Sequence, residues 1–369
     1  MNKFAKIIFW CTVGITLLWF LPWIYALCTP SATDDPFYGF SPVSNDWVSS
    51  KDTNKSLRDS LLPQLYYRQL LADDRLPDSL CGKELSAHNL RTHEVVFTVA
   101  PREIVARKPR VWMMMESMPK TVDLEDPKEV FRFTDDGRME FVDIATNAIN
   151  PSRSKRFTET LRARGFAFPA KYLSANVTSR KAYDEGYLMV DADGKVFHVK
   201  QQVGRPYVAA VKLPDSVRAR YAFIWEQPDR DLLGMIVDES DRPWIIEHDG
   251  YRAIPFPDGA GTFDPEAESA TVMGNLFNLT CRFSTSEGSR WVAIDADDYR
   301  LLDTLTYRRP RPRAAEVADY LFPVVLNYTS TTDSLAYPRL ERVSAKALPL
   351  WLLIAAAVGF LVWRRRKIS

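Results

Sequence analysis

Residues 188–199 read Leu188-Met189-Val190-Asp191-Ala192-Asp193-Gly194-Lys195-Val196-Phe197-His198-Val199. An apolar run meets a turn built from Asp and Gly, and a second run begins around an aromatic residue. Asp and Gly tolerate the positive φ of a tight turn, and aromatics pack across paired strands, so the segment predicts a short β-hairpin. The pattern recurs. Met235-Ile236-Val237-Asp238 leads through Asp241-Arg242 to Trp244-Ile245-Ile246, and Arg282-Phe283-Ser284-Thr285 leads through Gly288 to Trp291-Val292-Ala293. Phe131-Arg132-Phe133-Thr134-Asp135 leads through Gly137-Arg138 to Phe141-Val142. The turn residues Gly194, Asp241 and Gly288 lie 47 apart each time (241 − 194 and 288 − 241), and Gly137 lies 57 before Gly194. The extra length coincides with a helix predicted over Pro151–Arg164, capped by Asn150 and stopped by Gly165. Hairpins repeated at about 45–50 residues have the spacing of propeller blades.

The expected fold is a mostly β extracytoplasmic domain, propeller-like by its repeated hairpins, with a few helices and one transmembrane helix at each end. An antiparallel sandwich or meander would satisfy the same hairpins without radial symmetry. His93–Val99 and Val111–Met115 also read as strand, which leaves room for a fifth unit over 85–118. Leu57, Leu61, Leu62, Leu65, Leu70 and Leu71 recur at helical spacing around Pro63, predicting a kinked helix or two short ones.

The ends are apolar. Ile7–Leu27 is 21 residues without a formal charge, and Ala347–Trp363 is 17. At about 1.5 Å per residue against a bilayer core of about 30 Å, the first spans comfortably and the second spans only with Trp351 and Trp363 in the interfaces. Lys3 and Lys6 precede the first stretch, no Lys or Arg follows it until Lys51, and Arg364-Arg365-Arg366-Lys367 closes the chain. The positive-inside rule then puts both termini in the cytoplasm and the domain outside it, in the periplasm of a bacterial inner-membrane protein. The apolar core is longer than that of a signal peptide, and no small-residue cleavage site follows closely. The organisation expected is a cytoplasmic N-terminus at 1–6, a span at 7–27, a linker and helical segment at 28–84, the β-rich domain at 85–345, a second span at 346–363 and a basic tail at 364–369.

A net charge of +1 with 26% charged residues provides no basic field for nucleic acid. Of the four cysteines, Cys81 and Cys281 fall in the exported part. They could form one disulfide or stay as separate free thiols, and no CxxC pair points to zinc or redox chemistry. The four histidines, His88, His93, His198 and His248, show no metal-ligand spacing, so no metal and no cofactor is expected. Glu247-His248-Asp249 precedes Gly250 and reads as a turn. No GxSxG, GxGxxG or GxxxxGK[ST] occurs. Met113-Met114-Met115 offers thioethers, but strand alternation would let only Met113 and Met115 converge, so packing is the reading. The turn positions Asp135, Gly137, Asp191, Gly194, Asp238, Asp241 and Gly288 are structural, and no catalytic residue is assigned.

Leu62-Pro63-Gln64-Leu65-Tyr66-Tyr67-Arg68-Gln69-Leu70, then Leu76-Pro77-Asp78, then Asp191–Val199 resemble an uncharacterised Bacteroidota membrane-protein family arranged as span, exported part, span. That resemblance implies a context beside ABC-transporter components. The function expected is a non-enzymatic, membrane-anchored binding or accessory domain, with a transporter permease and ATPase as partners. The rival is an exported enzyme acting on envelope polysaccharide or lipid. Nothing in the sequence sets the oligomeric state.

Overall fold

The computed structural model of the chain describes residues 3–29, 35–49, 51, 67–106, 109–330, 333 and 335–368. Its helices are α1 (Lys3–Cys28), α2 (Tyr67–Ala72), α3 (Ala87–Thr92), α4 (Pro101–Val105), α5 (Pro151–Ala163), α6 (Arg313–Leu321) and α7 (Leu348–Ile368). Of the leucines predicted as a kinked helix, Leu70 and Leu71 lie in α2, whereas Leu57, Leu61, Leu62 and Leu65 lie outside the described residues.

Each of the four hairpins is the inner pair of an antiparallel sheet whose strands follow chain order. Sheet I comprises Trp112–Met113, Glu129–Phe133, Met139–Asp143 and Ile149–Asn150. Sheet II comprises Tyr172–Ser174, Tyr187–Val190, Val196–Gln202 and Arg205–Ala210. Sheet III comprises Ala219–Ile224, Leu232–Asp238, Pro243–Glu247 and Ala253–Pro255. Sheet IV comprises Ser269–Gly274, Asn278–Ser284, Gly288–Asp295 and Leu301–Arg308. Among the described residues the fifth unit for which 85–118 left room does not form a hairpin of its own. Val95–Val99 instead pairs with Ser269–Gly274 as a fifth strand of sheet IV, and Trp112–Met113 opens sheet I.

The sheets stack face to face. Phe131, Phe141, Met189 and Phe197 bury one another between I and II. Leu188, Val190, Ala222 and Ile236 do so between II and III, and Phe223, Met235, Val272 and Cys281 between III and IV. Inner strands covered on both faces lose the alternation of a half-exposed strand, and every residue of Leu232–Asp238 is buried. Gly234 answers a close approach, since a Cβ there would lie 2.1 Å from the Phe223 carbonyl oxygen. Helix α5 starts where the Asn150 side chain accepts from the Arg153 N–H, and Gly165 follows it at φ +82°. Its Ser154 and Thr158 hydroxyls accept from the Phe141 and Met139 N–H groups (2.9 and 3.0 Å), covering the strand edge at and beyond the end of the two-residue strand Ile149–Asn150.

Two expectations are corrected, and one open alternative is closed. Residues 35–49 are not a linker. They form a hairpin, Tyr38–Ser41 with Asp46–Ser49, that docks Phe37, Tyr38 and Trp47 around the buried Trp291 (ring centroids 4.9, 5.6 and 6.3 Å). Cys81 and Cys281 do not pair. Cys281 is sealed in the core between sheets III and IV, whereas Cys81 is exposed in the turn between Ser79–Leu80 and Lys83–Glu84. The second span is not supported either. Among the described residues helix α1 is long and apolar enough to cross a membrane, whereas the apolar helical stretch at the C-terminal end, Ala345–Leu361, is shorter than a span requires. At about 1.5 Å per residue it reaches about 25 Å.

The two terminal helices meet one platform. The Tyr25 hydroxyl at the end of α1 donates to the Ala314 carbonyl of α6 (3.0 Å), and Trp19 meets Tyr328 edge-on at 5.1 Å. The Trp351 indole N–H of α7 donates to the Leu321 carbonyl (2.8 Å). Between them the hairpin Val324–Asn327 with Arg339–Val343 is tied to α6 by the buried Asp319, which pairs with Arg311 and Arg342 at 2.8 and 2.9 Å.

Candidate functional site

Meander topology gives the stack two unlike ends. One end collects the four inner hairpin turns. The other collects the connections between first and second and between third and fourth strands.

The turn end satisfies itself. The Asp191 carboxylate accepts from the Asp193 and Lys195 N–H groups (2.9 and 2.8 Å), and Asp238 repeats this on Ser240 and Arg242 (2.8 and 3.0 Å). Their second oxygens accept from the Ala167 N–H (3.0 Å) and the Trp244 indole (2.9 Å). Gly137, Gly194 and Asp241 hold positive φ of 77°, 77° and 60°, and Gly288 closes the fourth turn at φ +157°. In sheet I the residue equivalent to Asp191 and Asp238 is Thr134, whose N–H donates to the Arg138 carbonyl and whose hydroxyl accepts from the Arg138 N–H; Asp135 stands one place further on, exposed in the turn.

The opposite end buries charge. Glu185, two residues before the first inner strand of sheet II, is nearly inaccessible. Lys200 Nζ donates to its carboxylate at 2.7 Å, Arg230 Nε lies 3.2 Å away, and His198 and His248 each lie 3.6 Å away. Burial alone would raise the Glu185 carboxyl; the approach of His248 and the Lys200 ammonium outweigh it and hold it at about 2. His198 is fixed in one tautomer. Its Nε2 faces the Glu185 carbonyl, which only accepts, so Nε2 carries the proton and Nδ1 accepts from the Tyr251 hydroxyl (2.9 Å). Tyr251 is therefore free to accept from Tyr207 (2.8 Å). Burial and the Lys200 charge push His198 down to about 4. Both ring nitrogens are committed, so His198 is a structural element of the network and has no capacity left to act on an outside group.

The network continues to either side. Lys181 bridges Asp184 and Glu226 (2.8 and 2.5 Å), and Ser117 donates to Asp184 (2.8 Å). The Glu116 carboxylate accepts from the Val203 and Gly204 N–H groups (2.7 and 2.8 Å) in a turn where both residues have positive φ. Arg153 of α5 pairs with Glu129 and lies over the Phe141 ring at 4.0 Å.

This bed presents a polar cleft of about 480 Å³, lined among others by Lys83, His93, Arg230, Asp231, Asp249 and Asp297. Arg230 enters from φ +60°, braced below by Glu185 and by the Tyr183 ring at 4.6 Å, with its side chain about half exposed. Lys83 is held by Asp297 (2.6 Å) and the Leu276 carbonyl (2.8 Å). Within the cleft wall, ligand atoms of His93, Asp229 and Asp231 lie within 4.8 Å of one another. The cleft combines fixed cations and carboxylates. Among the described residues no serine or cysteine stands beside a free base there.

Sequence reasoning assigned the hairpin turns and passed over this end. His198 does lie inside a strand and His248 does precede a helical turn, Asp249–Tyr251, but the fold brings them together on Glu185, ring centroids 6.4 Å apart. His93 meets Asp229 across 136 residues (229 − 93), a distance for which no local motif exists. In the methionine run the strand ends at Met113, so Met114 and Met115 are both buried and Met113 is exposed, which removes the convergence of Met113 with Met115.

Residues 41–294 match a family described as a domain of unknown function, DUF4857. A comparison with curated proteins finds no match. Among solved structures the chain is similar to the Dos1 propeller (10% identity over 60% of this chain and 62% of that one, TM-score 0.28). It is similar to the Cps50 (Swd1) β-propeller domain of Myceliophteria thermophila (12% identity, 60% of each chain, TM-score 0.27). A third is dihydro-heme d1 dehydrogenase NirN in complex with DHE (10% identity, 69% and 65%, TM-score 0.25). The chain thus spans about three fifths of the length of the first two.

Proposed function

The chain belongs to the DUF4857 family, and from that premise we propose that it is a membrane-anchored binding domain whose polar end docks onto a partner. In this reading the four sheets act as propeller blades, α1 is a retained anchor, and the domain faces the periplasm of a bacterial inner membrane. The partner is an integral membrane complex of the ABC-transporter type, permease with ATPase.

The observation that carries the reading is the asymmetry between the two ends of the stack. At the turn end the Asp191 and Asp238 carboxylates are spent on backbone N–H groups and the Trp244 indole, and Arg220 is spent on Asp241, Asp264 and Glu266. The other end fixes Arg230, Lys83, Asp231 and Asp297 around a cleft, on a foundation of buried ion pairs. Charged groups held in place before binding lose little freedom when a partner arrives, so such a surface suits recognition. Retention of α1 draws support from Trp19 and Tyr25, which complete a platform with α6 and its following hairpin; cleavage after them would strip that platform. Lys3 and Lys6 before α1 favour a cytoplasmic N-terminus.

The test is affinity purification of the tagged full chain in mild detergent, with co-purifying proteins identified by mass spectrometry. Near-stoichiometric recovery of permease and ATPase subunits is expected. Recovery of the chain alone, at detergent concentrations that leave other membrane complexes intact, would overturn the proposal.

A further inference from the structure

We propose that His93, Asp229 and Asp231 form a divalent-metal site in the wall of the polar cleft, suited to Zn²⁺ or a transition ion of similar preference. The inference rests on these three side chains and stands whether or not the cleft docks a transporter.

His93 closes α3. Its Nδ1 lies 3.0 Å from the Asn89 carbonyl, which only accepts, so Nδ1 carries the ring proton and Nε2 of the neutral ring holds a lone pair. A backbone carbonyl on the far nitrogen is the arrangement that orients metal-ligating histidines. Nε2 lies 3.5 Å from Asp229 Oδ2. That oxygen is sealed from solvent and has no hydrogen-bond partner, whereas Asp229 Oδ1 accepts from the Asp231 N–H (3.1 Å). In the neutral, Nδ1-protonated ring the Nε2 lone pair and Asp229 Oδ2 face one another, and Asp231 adds a second carboxylate within 4.8 Å.

The nearby cations are committed elsewhere, Arg230 to Glu185 and Tyr183, and Lys83 to Asp297. One nitrogen and two carboxylates are a donor set that Zn²⁺ takes with a fourth position open. Two ligands at about 2.1 Å from a tetrahedral ion lie about 3.4 Å apart, close to the His93–Asp229 separation. An ion here would fasten α3 to the loop joining the first and second strands of sheet III, a junction already closed by the Asp229 N–H on the Thr92 carbonyl (3.1 Å). Its open position would face the cleft.

The full chain in mild detergent, stripped with chelator, would be titrated with Zn²⁺ by calorimetry and with Co²⁺ by visible absorption. One ion per chain is expected. His93→Gln and Asp229→Asn should each weaken binding at least tenfold and abolish the Co²⁺ ligand-field bands. His88→Gln, exposed on the same helix, should leave both unchanged. Absence of Zn²⁺ binding to the wild-type chain, or equal binding by His93→Gln, would overturn the site. Thermal unfolding of the metal-free variants checks their folding, and His93→Gln, at a partly exposed position, decides the question where Asp229→Asn does not fold.

Discussion

Individual side chains divide into those that close turns and those that hold the charged end. Asp238 satisfies two backbone N–H groups and the buried Trp244 indole, so Asp238→Ala is expected to cost about 3 kcal/mol, whereas Asp135→Ala, exposed in its turn, should change stability by less than about 0.5 kcal/mol. Urea unfolding of both variants checks the contrast. Acid exposes the other group. His198 takes its proton near 6.5 when unfolded and only near 4 when folded, so stability is full above about pH 6.5 and falls as pH drops toward 4. Glu185 is held near 2 against an ordinary 4.5, so its contribution is full above about 4.5 and is lost as pH falls toward 2. Between pH 7 and 5 the His198 term amounts to about 2 kcal/mol, and His198→Gln should flatten the urea midpoint over that window.

Elements were legible where their chemistry is local. The hairpins follow from Asp or Gly in each turn, with an apolar run on either side, and α5 from its cap and its terminal Gly. Residues 35–49 looked like a linker because Phe37, Phe40 and Trp47 find their partners in sheet IV, some 250 positions away, and a Pro- and Ser-rich stretch shows no periodicity of its own. Docking of that hairpin is tested by Trp291→Ala, which removes its fully buried anchor and is expected to cost about 3–5 kcal/mol and to speed proteolysis within 35–49. The N-terminal helix belongs to this scale as well. If α1 is a retained anchor, the intact mass of the mature chain includes residues 1–27 and the protein resists extraction from membranes at alkaline pH. A mature form beginning after residue 27 would mean that the α6 platform forms without it.

At the scale of the molecule, four sheets in chain order put every inner turn at one end and leave the other end to long-range assembly. That division explains why the repeat could be read in sequence while the cleft could not. Glu185, His198, Arg230 and His248 come from three different connections and one strand interior, with no common spacing, and two of the histidines resemble ordinary strand and turn residues until the sheets are stacked. The central claim is that the charged end, and not the turn end, meets the partner. The most direct measurement compares partner recovery in mild detergent for two double variants of the full chain, Lys83→Ala with Arg230→Ala at the cleft and Arg138→Ala with Lys195→Ala at the turns. Each removes two cations. The account predicts at least a tenfold loss of co-purifying membrane subunits for the first pair and recovery close to wild type for the second. Equal recovery from both, or loss confined to the turn-end pair, would contradict it.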